Sequence, residues 1–137
     1  MAIIACTSSK PAAQTPDSTQ VPLTGTYWRL VELRGKETGP TPADKREVYL
    51  KLQDNGDAEG FAGCNSFRGK YEATAGGRIR FNNVASTLMA CQDMTTEDAL
   101  LEALKTCDSY NLTDGKLVLN RARMAPLARF EARVNPK

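Results

Sequence analysis

A chain of 137 residues suits one domain with a sizeable core and leaves little room for a second. Hydrophobic residues make up 41% and charged residues 25%, close to globular averages, so neither wholesale disorder nor a membrane-embedded chain is indicated. Eighteen Lys and Arg against sixteen Asp and Glu leave a net charge of +2, too balanced for a nucleic-acid footprint, and the absence of histidine removes the commonest general base and transition-metal ligand.

The chain opens with MAIIACTSS, in which Ile3, Ile4, Ala5 and Cys6 are similar to a lipobox, with Cys6 in the position that receives lipid. A basic n-region and most of an apolar h-region are missing before it, so the segment reads as the trimmed remnant of a lipoprotein signal. Thr7 to Thr24 is rich in Ser, Thr, Pro, Ala and Gln and cannot bury enough apolar surface to offset the entropy of ordering. Residues 1–24 are therefore expected to be signal remnant and flexible linker, and residues 25–137 the folded domain. The several acyl chains of a bacterial lipoprotein cysteine would hold that domain at a bilayer, on the periplasmic side or at the cell surface.

From Thr26 the pattern changes to short apolar runs separated by turn chemistry. Thr26 to Leu33 is the first strand; Trp28 and Leu30 share one face and Val31 and Leu33 the other, which predicts a bulge or cover on both sides. Arg34 to Lys45 holds two glycines and two prolines and reads as a long loop. Glu47 to Gln53 alternates, with Val48, Leu50 and Leu52 inward, and Asp54-Asn55-Gly56 reverses it into Asp57 to Ala62. Phe67 to Ala73 and Arg78 to Asn82 pair around Ala75-Gly76-Gly77, and Val84 to Met89 extends the sheet.

One helix starts at Thr95 or Thr96, where Thr95 and Asp98 make a weak capping box. Its apolar stripe, Leu100, Leu101, Leu104 and Cys107, must lie on the sheet. Ser109 to Thr113 and Lys116 to Asn120 turn at Asp114-Gly115, and Pro126 to Val134 is the last strand. The fold class is mainly β: a small antiparallel β-barrel of about eight strands with one α-helix packed on it.

Three groups of residues then coincide: Tyr27-Trp28-Arg29-Leu30; Gly63-Cys64-Asn65 followed by Gly69-Lys70-Tyr71; and Thr87-Leu88-Met89-Ala90-Cys91 followed by a Glu-containing helix. Together, over about Gly25 to Glu131, they resemble the META domain family, which includes HslJ-like bacterial envelope lipoproteins. The resemblance implies a small barrel with one helix in the cell envelope, often lipid-anchored and associated with stress responses. It carries no agreed molecular activity. Trp28, Gly63, Asn65, Gly69, Tyr71, Thr87 and Met89 are its motif positions here.

Four cysteines, Cys6, Cys64, Cys91 and Cys107, form no CxxC pair. In an oxidising compartment a Cys64–Cys91 bridge closes a loop of about 28 residues and contributes about 3 to 4 kcal/mol. Cys107 lies outside the family's usual pattern, so a Cys91–Cys107 bridge or a free Cys91 stays open, as does a redox role for Cys91 just before the helix. Asp54, Asp57 and Glu59 gather oxygen ligands, but the spacing is wrong for an EF-type loop and a solvated hairpin accounts for them. Asn65 is read as a loop residue bonding its own backbone in a tight reversal, ahead of a polar group at a recognition surface.

Ser66, Ser86 and Thr87 lack a histidine base and any SxxK pattern, so no catalytic residue, metal or cofactor is expected. Arg121, Arg123, Arg129 and Arg133 read as the solvent face of a strand. The expectation is a non-enzymatic, monomeric envelope lipoprotein domain, an interaction or stress-response module that touches the membrane through its anchor and possibly an envelope protein. An apolar-ligand carrier barrel is one alternative, with Trp28, Leu50, Leu52, Phe81, Leu104 and Phe130 as the residues that would otherwise fill it. A secreted protease inhibitor presenting Arg34 to Lys45 is the other.

Overall fold

A computed structural model describes residues 21–122 and 125–133. Cys6, the lipobox and the linker up to residue 20, together with Arg123 and Val134, lie outside the described residues. The elements are β1 (Tyr27–Leu33), β2 (Lys36–Glu37), β3 (Tyr49–Leu52), β4 (Asp57–Phe61), β5 (Ser66–Ala73), β6 (Ile79–Ser86), α1 (Thr95–Thr106), β7 (Ser109–Thr113), β8 (Lys116–Asn120) and β9 (Ala128–Arg133). All pairings are antiparallel, in the order β6-β5-β4-β3-β1-β9-β8-β7, with β2 on the edge of β1.

The sheet curls into an incompletely closed barrel. Its two ends meet through one bridge, Arg78 to Ser109, with the Tyr110 and Ile79 amides donating to the Gly77 and Asp108 carbonyls at 2.8 and 3.3 Å. Beyond that point the strands part, and α1 packs on β6 and β1.

The first strand carries the expected bulge: its register with β9 shifts between Leu30 and Glu32, which returns Leu33 to the core beside Trp28 and Leu30. Trp28, Leu50, Leu52, Phe67, Leu100, Leu104, Leu117, Leu119 and Phe130 are fully or almost fully buried and fill the interior. The Trp28 indole N–H, the polar atom of that core, donates to the Leu23 carbonyl at 3.0 Å. Val21 and Leu23, read above as linker, pack against the core, and the Gly25 amide donates to the Leu52 carbonyl at 2.7 Å.

Three local expectations change. The segment after β1 is not loop throughout: Arg34 and Gly35, both with positive φ, turn the chain so that Lys36–Glu37 pairs back on β1. The two runs on either side of Asn83 are one strand, β6, because Asn83 takes positive φ at a bulge opposite Gly69 and the ladder continues past it. That strand stops at Ser86, before Leu88 and Met89. Finally, α1 has no side-chain N-cap bond; Met94 occupies the cap, and the Thr95 amide instead donates to the Asp93 carboxylate at 2.9 Å.

Candidate functional site

The two ends of the barrel are built differently. At one end lie the β3–β4 and β5–β6 hairpins and the entry of the chain at Val21–Gly25. There Tyr71 holds its ring 6.4 Å from Phe81 and donates its hydroxyl to the Gln53 carbonyl at 2.6 Å, bracing the hairpin. Gly69 lies in the bulge, where a Cβ would come within 3.0 Å of the Asn82 carbonyl and the Val84 Cα. Trp28, Gly69 and Tyr71 are thus framework positions.

At the other end the remaining motif residues converge. The corner between β4 and β5 contains Gly63, whose φ of +128° is open to glycine at little cost. After it the amides of Cys64 and Asn65 both point at the start of α1 and donate to Glu97 Oε1 at 3.0 and 2.6 Å. The Asn65 side-chain amide donates to Glu97 Oε2 at 2.7 Å. Burial works against the Glu97 charge, since only 3% of the residue is exposed, but the three donors outweigh it and hold the carboxyl below its ordinary range.

The carboxylate sets the direction of everything beyond it. It can only accept, so Asn65 must turn its NH2 toward Glu97 and its carbonyl oxygen toward the chain after β6. That oxygen, Oδ1, accepts from the Thr87 hydroxyl at 2.7 Å and from the Met89 amide at 2.8 Å, while Nδ2 also donates to the Met89 carbonyl at 3.1 Å. Asn65 is 2% exposed, and these bonds reach 22 to 32 residues along the chain. The backbone carbonyl of Asn65 does close the reversal, accepting from the Ala62 amide at 2.9 Å, but its side chain, expected to bond locally, instead joins three segments.

A disulfide between Cys64 and Cys91, with Cα atoms 6.1 Å apart, closes the same corner. The Thr87 amide adds a bond to the Ser66 carbonyl at 3.1 Å. Thr87 through Asp93 are nevertheless exposed, with Leu88 at 92% and Met89 at 59%. A fixed backbone thus carries two large apolar side chains into water.

The other sequence candidates disperse. Asp57 pairs with Lys70, and Glu59 lies across from Lys51 and Arg68. Arg129 binds Glu32 at 3.1 Å, Arg133 binds Glu47 at 2.6 Å, and Arg121 is exposed. The Thr87 hydroxyl hydrogen is committed to Asn65. Cys107 is a buried free thiol whose pKa is pushed up to about 12, first by burial and then by the Asp108 charge. Glu97 was missed as a site residue: at a helix start it reads as a dipole partner, and nothing local announces a contact 32 residues away.

The META domain family model matches residues 21–134. Among solved structures, an NMR structure of a protein from Burkholderia xenovorans superposes with a TM-score of 0.63 at 26% identity, covering 92% of this chain and 97% of that one. A second NMR structure gives 0.61 at 23% identity, over 80% and 90% of the two chains. A crystal structure of a duf4847 family protein from Bacteroides vulgatus gives 0.59 at 14% identity, over 83% and 96%. The last two likenesses are of fold alone. No curated protein matches the chain.

Proposed function

Because the chain belongs to the META domain family, we propose that it is a non-enzymatic cell-envelope lipoprotein domain, tethered through Cys6, that works as an interaction module in the envelope and its stress response. The observation that carries this reading is the Asn65 clamp. Buried polar groups are committed to holding an apolar loop still in water, and each is satisfied by another protein group rather than turned toward a cleft. Apolar side chains on a pre-organised backbone suit a protein partner, since little order remains to be imposed on binding. The Cys64–Cys91 bridge fits an oxidising compartment. No helix among the described residues is long and apolar enough to cross a membrane. The carrier alternative finds no support in an interior filled by Trp28, Phe67, Phe130 and six leucines.

The test uses the full reading frame expressed in its own host. Cys6→Ala should release the protein from the membrane fraction and abolish labelling by fatty acid. A photo-crosslinker at position 88 should capture an envelope protein, whereas one at position 54, on the opposite hairpin, should not. Equal capture from both positions, or a hydrolytic activity lost on replacing one surface residue, would refute the reading.

A further inference from the structure

We infer that Thr87–Cys91 is a protease-inhibitory loop whose Leu88 side chain enters the apolar S1 pocket of a secreted serine protease. This rests on the interaction-module reading and gives the partner of that module a chemistry. The Arg34–Lys45 segment is already engaged at its start. Lys36 and Glu37 are paired with β1, and Thr38 is bonded to the Val31 and Leu30 carbonyls at 2.9 and 3.2 Å.

Four observations point to the other loop. Its backbone runs from Thr87 to Cys91 without turn or bend, at the head of a run of seven exposed residues, and a protease cleft takes an extended segment. Leu88 is almost wholly exposed, as a side chain that must fill a pocket on another molecule has to be. The residues on either side of it are anchored by one amide, Asn65, through the Thr87 hydroxyl and both backbone groups of Met89. Among the described residues the N–H and C=O of Leu88 itself have no protein partner, which leaves them for the edges of a cleft.

The clamp also explains why such a loop would block rather than feed a protease. If the enzyme's serine added to the Leu88 carbonyl, the Leu88–Met89 bond would break. The serine proton would pass through the enzyme's histidine to the departing Met89 nitrogen. That amine would stay on Asn65, and Cys91 would stay on Cys64, so the nitrogen remains beside the acyl carbon. It re-forms the amide and returns the proton. A membrane is a poorer fit: among the described residues only two large apolar side chains are exposed, Asp93 is held in its charged form by its bond to the Thr95 amide, and Val21–Gly25 lie at the far end of the barrel.

The oxidised protein should be titrated against chymotrypsin and subtilisin, whose S1 pockets are apolar, and against trypsin. Reversible, near-stoichiometric inhibition of an apolar-pocket enzyme is expected, with trypsin unaffected. Leu88→Asp should weaken inhibition about 100-fold or more, as loss of a central anchor does, and Leu88→Arg should transfer it to trypsin. Both substitutions fall on a 92% exposed side chain, and unchanged melting checks that they fold. Asn65→Ala should convert the protein into a substrate cut between Leu88 and Met89. Inaction against all three enzymes, rapid cleavage of the wild type, or indifference to Leu88→Asp overturns the inference. Should position 88 crosslink a non-protease envelope protein while inhibition is absent, the interaction module stands and the inhibitory assignment fails.

Discussion

Replacing Glu97 by glutamine changes one atom and reverses the logic of the site. The amide oxygen can still accept from the Cys64 and Asn65 backbone, at 3.0 and 2.6 Å in the wild type, but without a charge. The new NH2 then faces the Asn65 NH2, now 2.7 Å from Glu97 Oε2, and two donors meet. Flipping Asn65 relieves that clash only by turning an NH2 toward the Met89 amide, which is also a donor. Weakening two charge-assisted bonds and leaving one buried donor unpaired costs about 2 to 4 kcal/mol. With a urea slope of about 2 kcal/mol/M, the midpoint should fall by about 1 to 2 M. The pH dependence supplies a second readout. A carboxyl held below its ordinary value of 4.5 in the folded state contributes stability that is complete above that pH and is lost as pH falls toward the folded value. The difference between wild type and Glu97→Gln should therefore be constant near neutrality and shrink below pH 4.5. A variant within about 0.5 kcal/mol of wild type, below the cost of one buried unpaired donor, refutes the reasoning.

Removing the bridge with Cys64→Ser and Cys91→Ser together should lower stability by about 3 to 4 kcal/mol on the chain-entropy model, with far-UV circular dichroism unchanged. In the wild type Cys107, with its thiol pushed up to about 12, should be silent to a thiol reagent at pH 8 until denaturant is added. Gly60→Ala should be among the most damaging small substitutions, by about 2 kcal/mol or more. Its Cβ would stand 2.2 Å from the Tyr49 carbonyl oxygen and 2.5 Å from Phe67 Cζ, and thermal melting reads the loss.

The strands were legible where period-two alternation had a clear inside, as in Val48, Leu50 and Leu52, and the helix where Leu100 and Leu104 share a face. The bulge in β1 could be read because Leu30 and Leu33 cannot both point inward along a regular strand. Lys36–Glu37 escaped because two charged residues carry no apolar signal, and β6 was split because asparagine at a bulge looks like asparagine at a turn. The family words named the right residues for the loop corner but not their relation. That Asn65, Thr87 and Met89 meet follows from the β5–β6 pairing, which sets Phe67 opposite Ser86, and Glu97 joins them because α1 starts at the same end. Polar contacts between residues so far apart in sequence leave no periodicity to read.

The loop's rigidity underlies both the proposed function and the inhibitory assignment, and backbone 15N relaxation on the oxidised protein measures it directly. Order parameters of about 0.85 across Thr87–Cys91, matching the strands, are expected from the Asn65 clamp and the disulfide. Values below about 0.6 at Leu88 and Met89, those of a freely moving loop, would contradict the account.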